Sequence, residues 1–182
     1  MPEQEFIATG DRAALGILRR EHVPQFAIWF NDPDVRRGLA HRGILNEDGE
    51  LRWYEQMTEA SAAPRPETVA FAIHDAADGE LVGACSLDNI DHNFLRADFG
   101  IFLGPRRGTG IGTDATRLVL DWAFTILGLR NVMLETYEFN EVAIRAYERA
   151  GFQQIGRRRD AVRAVGKRWD VILMDAVPAE QS

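Results

Sequence analysis

The sequence reads as an α+β protein built on a mixed, mostly antiparallel twisted sheet. Residues 67 to 104 carry three strand-like runs, TVAFAIHD, LVGACSLDNI and ADFGIFLG, rich in β-branched and aromatic residues and separated by Asp/Gly turn signals. Such short connections predict an antiparallel meander. Two helical patterns, 113–127 and 140–151, follow with the strand-like NVMLETYEF between them, and FQQIGRRRDAV and KRWDVILMDAV supply two last strands.

Before the meander, the alternation in AALGILRR predicts a strand near 13–20. Val23, Phe26, Ala27 and Phe30 fall on one face of a short helix that Asp32 and Pro33 interrupt. Leu51, Tyr54 and Met57 mark another helix, about 50–62, and both helices are expected to cover one face of the sheet. Ala115, Leu118, Val119, Trp122 and Ile126 recur at steps of three and four, and Gly128 is placed to end that helix. Asn140 starts the next helix and Gly151 stops it. The expected inventory is about seven strands and about four helices, in one domain over 1–182.

Composition removes several functions. No apolar run approaches the roughly 18 residues of a membrane span, and the acidic N-terminus MPEQEFIATGDR lacks the pattern of a secretory signal, so a cytoplasmic protein is expected. The net charge of −7 disfavours nucleic acid and suits a cationic substrate; the RRRD cluster at 157–160 reads as a solvated turn or hairpin. Cys85 reads as a small buried residue. His22, His41, His74 and His92 are scattered, with no metal-ligand spacing, so no metal is expected.

The informative stretch is GPRRGTGIGTDAT, 104–116. Gly108, Gly110 and Gly112 permit positive φ and close approach of a ligand to the backbone, and the helix that follows offers unpaired N–H groups and a partial positive charge. Together they form an anion socket, best suited to phosphate, with Arg106 or Arg107 beside it. No Lys follows the glycines as a P-loop requires. The G-x-G-x-G spacing and the hairpin context also depart from a dinucleotide fingerprint.

RGTGIG resembles the R/Q-x-x-G-x-G/A signature of the GNAT N-acetyltransferase superfamily, with Arg107, Gly110 and Gly112 in the signature places. FNEVAIRAYERAGF resembles its second hallmark, N-x-x-A-x-x-x-Y-E-x-x-G-F, and WDVILMDAV is similar to the closing strand of the RimJ/RimL-like branch. The resemblance implies the GNAT fold and transfer of an acetyl group from acetyl-coenzyme A to a primary amine by direct attack. It assigns residues 108–113 (Gly108, Thr109, Gly110, Ile111, Gly112 and Thr113), flanked by Arg107, to the pyrophosphate. Ile101, Phe102 and Leu103 would take the pantetheine arm through their backbone. The acceptor classes that the resemblance implies are a protein α-amino group, a polyamine and an aminoglycoside-like amine, and it also implies a homodimer.

The chemistry needs an uncharged amine, a group to polarise the carbonyl and a proton for the departing thiolate. Tyr147, in the family's tyrosine position, is the candidate proton donor. It lies seven residues after Asn140, about 20° from alignment, so both can face the cofactor, although capping alone would explain Asn140. Glu135 and Asp98 are equal candidates for acids lining the amine pocket, with Glu138 on the opposite face from Glu135 by alternation. His74 is a further possible base, though a surface histidine at a strand end is the plainer expectation. A coenzyme A-binding module without turnover is the alternative function.

Overall fold

The computed structural model describes residues 6–39, 43–104, 108–164 and 166–179. Its strands are β1 (Ala8–Thr9), β2 (Ala13–Ile17), β3 (Val69–Asp75), β4 (Leu81–Asp91), β5 (Arg96–Leu103), β6 (Asn131–Tyr137), β7 (Gln153–Ala164) and β8 (Lys167–Ala176). The helices are α1 (Val23–Asn31), α2 (Pro33–Leu39), α3 (Glu47–Ser61), α4 (Ile111–Thr125) and α5 (Glu141–Ala150). The strands form one sheet in the order β1-β2-β3-β4-β5-β6-β8-β7. Every neighbouring pair is antiparallel except β5 and β6, which are joined by the α4 crossover.

The α+β architecture and the meander match the expectation. Two elements are additional to the expectation: the two-residue strand β1, and α2, which lies where Asp32 and Pro33 suggest an interruption. Asp32 Oδ1 accepts from the backbone N–H of Asp34 at 2.9 Å and of Val35 at 3.2 Å, and Pro33 opens the helix with a preset φ. An acidic cap followed by proline starts a helix as effectively as it stops one. Likewise α3 begins before residue 50, because Asn46 Oδ1 accepts the Gly49 N–H at 2.9 Å. β2 stops short of residue 20, where a single 3₁₀ turn, Arg20–His22, leads into α1.

Two cores flank the sheet. Phe71, Leu87, Phe99, Val132 and Met174 pack with Ile111, Ala115 and Val119 of α4, and with Ile144 and Tyr147 of α5. On the other face Phe102 meets Phe26 and Phe30 of α1, with ring centroids 5.2 and 4.4 Å apart, joined by Val35 of α2 and Trp53 of α3. Among the described residues no helix is long and apolar enough to cross a membrane.

One further expectation is corrected. His74 is buried, not a surface residue: its Nδ1 lies 3.0 Å from the Gly79 carbonyl, and its ring is 5.8 Å from that of buried His22. Burial lowers the pKa of both, His22 to about 4, so each is a neutral packing element. Of the turn and hairpin expected for the RRRD cluster the structure has the hairpin: Arg157, Arg158 and Arg159 are exposed on β7, which pairs with β8, and the reversal falls at Gly166, φ +73°. Their charge is balanced locally, since Arg157 Nη1 lies 2.8 Å from Asp170 and 3.3 Å from Glu138.

Glu50, on the inner side of α3, is 2% exposed, and its Oε1 lacks a hydrogen-bond partner among the described residues. Burial raises its pKa from 4.5 to about 7. The folded protein therefore holds a proton that the unfolded chain has already released, which costs stability as pH climbs from 4.5 through 7. Glu50→Gln should gain stability relative to wild type between pH 5 and pH 8, by up to about 3 kcal/mol in urea unfolding. A pH-independent difference would contradict that burial.

Candidate active site

β5 and β6 pair only from Arg96/Asn131 to Asp98/Met133. Beyond that vertex the strands part, so the edge of β5 after Asp98 has no β6 partner for its backbone groups. A cavity of about 460 Å³ fills the opening, walled by Gly100–Leu103 on one side and Glu135–Tyr137 on the other. Its surroundings are completed by α5, by the glycine loop and, from the opposite face of the sheet, by α2. The side chain of Phe102 is committed to the aromatic core, while Ile101 and Leu103 pack against the other core. What this stretch offers a ligand is therefore backbone, as a peptide-like arm would need.

The glycine loop closes one end. Gly108 and Gly110 have φ of +78° and +90°, in the left-handed region. Gly110 is the N-cap of α4, so the N–H groups of Ile111, Gly112 and Thr113 have no intrahelical acceptor and the helix dipole adds to them. The helix starts two residues earlier than its apolar pattern suggests. Ile111 is 3% exposed, so it can serve a ligand only through its N–H. At Gly112 a Cβ would come within 3.0 Å of Leu103 Cδ1, so a bare backbone fits closely under the strand. Arg106 and Arg107 lie outside the described residues.

A support for this loop escaped the sequence reading. Arg12, in the β1–β2 turn, donates from Nη1 to the Thr109 carbonyl at 2.9 Å. Asp114, in the first turn of α4, accepts from the Arg12 and Ala13 N–H groups at 2.8 and 3.0 Å. The partners are about a hundred residues apart in sequence, and no local pattern marks them.

α5 forms one side of the cavity. Asn140 occupies the N-cap position, yet its side chain makes no capping bond. Its ψ of 55° departs from the extended backbone that aims a cap at the first turn. Asn140 lines the cavity, and with no capping bond made, capping does not explain the residue. Tyr147 packs its ring against Phe99 and Phe152, with centroids 6.4 and 6.0 Å away, and also lines the cavity. Burial pushes its pKa up to about 12, keeping the hydroxyl a donor at neutral pH. Arg145 and Arg149 line the cavity too, and their four-residue spacing on a helix was a legible sign of a shared face.

The two candidate acids separate. Glu135 lines the cavity and is held at 2.5 Å by Arg158 Nη2 from β7. Asp98 sits at the vertex, exposed, accepting from Asn89 Nδ2 at 2.8 Å. Glu138 pairs with Arg157. Asp34 of α2 brings a further carboxylate to the cavity. Cys85 is buried, and desolvation raises its thiol pKa, which suits packing rather than nucleophilic attack. No group of three or more metal-ligating side chains occurs among the described residues.

A family model for the acetyltransferase (GNAT) domain matches residues 12–153. The chain belongs to the GNAT family. It is 39% identical over 80 residues to the spermidine N(1)-acetyltransferase of Escherichia coli K12, a match spanning 43% of either chain, less than half of that relative. Over a longer stretch it is 29% identical to the uncharacterized N-acetyltransferase p20 of Bacillus licheniformis, covering 93% of this chain and 95% of that one. The crystal structure of spermidine N-acetyltransferase from Vibrio cholerae, in complex with CoA and spermine, superposes with a TM-score of 0.81 at 22% identity. That superposition covers 92% of this chain and 96% of the other. At such identity the likeness speaks for the fold, and the parted strands and glycine socket belong to a GNAT architecture.

Proposed function

We propose that this protein is an N-acetyltransferase that passes an acetyl group from acetyl-coenzyme A to a primary amine, by direct attack in a ternary complex. The observation that carries the reading is one continuous cavity joining the glycine socket, the free edge of β5 and Tyr147. The socket takes the diphosphate, and the edge of β5 pairs with the amides of the pantetheine arm. Tyr147 stands where the thioester ends. The amine nitrogen bonds to the acetyl carbon as the C–S bond breaks, and N–H groups on the β5 edge polarise the carbonyl. The Tyr147 hydroxyl, protonated at neutral pH, hands a proton to the departing thiolate, and the proton lost by the nitrogen passes to water, from which the phenolate is reprotonated. Asn140 contacts the cofactor from the same helix. No covalent nucleophile is needed.

The acceptor enters the same cavity, where Asp34 of α2 and Glu135 of β6 supply negative charge. A polyamine is the acceptor class proposed first, in keeping with the net charge of −7 and with relatives named for spermidine acetylation. The RimJ/RimL-like assignment is part of the same proposal and rests on the closing strand WDVILMDAV. Glu135 is preferred to Asp98 as the acid meeting the amine, because it lines the cavity. Glu135→Gln should raise KM for a cationic amine about fivefold with less change in kcat, and Asp98→Asn should do less; the reverse order would reassign the role.

The deciding experiment measures free thiol released from acetyl-coenzyme A with a panel of polyamines, peptides and aminoglycosides. Amine-dependent release is expected. If coenzyme A binds and no amine raises thiol above background, the chain is a binding module instead.

A further inference from the structure

The β1–β2 turn and the start of β2, remote from the site in sequence, are tied to the glycine loop and the first turn of α4 by three hydrogen bonds. Arg12 Nη1 holds the Thr109 carbonyl, and Asp114 holds the Arg12 and Ala13 N–H groups. The packing is close: a Cβ on Gly110 would come 3.0 Å from Arg12 Cδ, and one on Gly10 would come 2.4 Å from Asp114 Oδ2. A glycine-rich loop has much conformational freedom to lose before it can bind anything. This clasp removes part of it in advance.

The bond to Thr109 has a directional consequence. In a planar trans peptide the C=O of one residue and the N–H of the next point in opposite directions. With the Thr109 carbonyl drawn towards Arg12, the Gly110 N–H of that same peptide unit is turned the other way. The carbonyl, which would repel an anion, is thereby occupied. Asp114 raises a parallel issue, since a carboxylate in the first turn of α4 would oppose a diphosphate there. Its bonds to the β1–β2 backbone draw it aside.

We propose that Arg12 is a positioning residue for the diphosphate socket: it holds the Thr109–Gly110 peptide so that the Gly110 N–H faces the anion. The first strands thereby take part in cofactor binding. This rests on the coenzyme A reading above, and the test separates the two. Calorimetry compares coenzyme A with pantetheine, which has the arm and no phosphate, on wild type, Arg12→Met and Arg12→Lys. Because Arg12 is exposed, the fold should tolerate both variants. Arg12→Met should bind coenzyme A about tenfold more weakly, pantetheine should be unaffected, and Arg12→Lys should recover part of the loss. Unchanged coenzyme A affinity in Arg12→Met, or a parallel loss for pantetheine, overturns the role of Arg12 alone. A wild type that does not bind coenzyme A overturns the site itself.

Discussion

Gly110→Asp should weaken coenzyme A binding about a hundredfold or more, and calorimetry on the purified protein reads it directly. Two effects combine. Gly110 has φ +90°, a conformation costing an L-residue about 1–2 kcal/mol. Its Cβ would press within 3.0 Å of Arg12 Cδ, next to the guanidinium that holds Thr109. A carboxylate there also puts negative charge beside the N–H groups that open α4, where an anionic ligand must settle. Gly110→Ala carries the strain without the charge and should lose only about tenfold, so the gap between the two variants measures the electrostatic part. Unchanged affinity in Gly110→Asp would mean that the diphosphate lies elsewhere.

The parts of this site legible in the sequence are those whose chemistry is local. Three glycines ahead of an apolar-periodic run announce a socket at a helix start, whatever the surrounding fold. Asn140 and Tyr147, two turns apart, declare a common helix face in the same way. Contacts between distant segments were not legible: Asp114 reads as an ordinary first-turn acid until β2 is laid beside α4, and Arg12 as one of many surface arginines. His74 shows the same limit in the core. Its place at the end of an apolar strand suggested exposure, yet His22, Phe6 and the Gly79 carbonyl enclose it, an arrangement that only the tertiary fold creates. Glu135 and Asp98 were equivalent as acids on neighbouring strands. The point at which β5 leaves β6, immediately after Asp98, makes them different.

Tyr147→Phe should lower kcat about a hundredfold while leaving coenzyme A affinity within about threefold of wild type. The split follows from where the ring and its oxygen sit. The ring contributes through Phe99, Phe152 and the surrounding core, contacts that phenylalanine reproduces. The hydroxyl has no hydrogen-bond partner among the described residues, so its removal leaves no orphaned donor or acceptor in the protein. What disappears, on the proposed mechanism, is a proton source for the thiolate. With its pKa pushed up to about 12, the phenol stays protonated across the usual assay range. Wild-type kcat should accordingly keep its donor up to about pH 10, and a loss of activity below that pH belongs to another group. Stopped-flow or steady-state thiol release at saturating amine makes the comparison. Equal kcat in the two proteins would show that water protonates the leaving group, and Tyr147 would then be a packing residue that only happens to line the cavity.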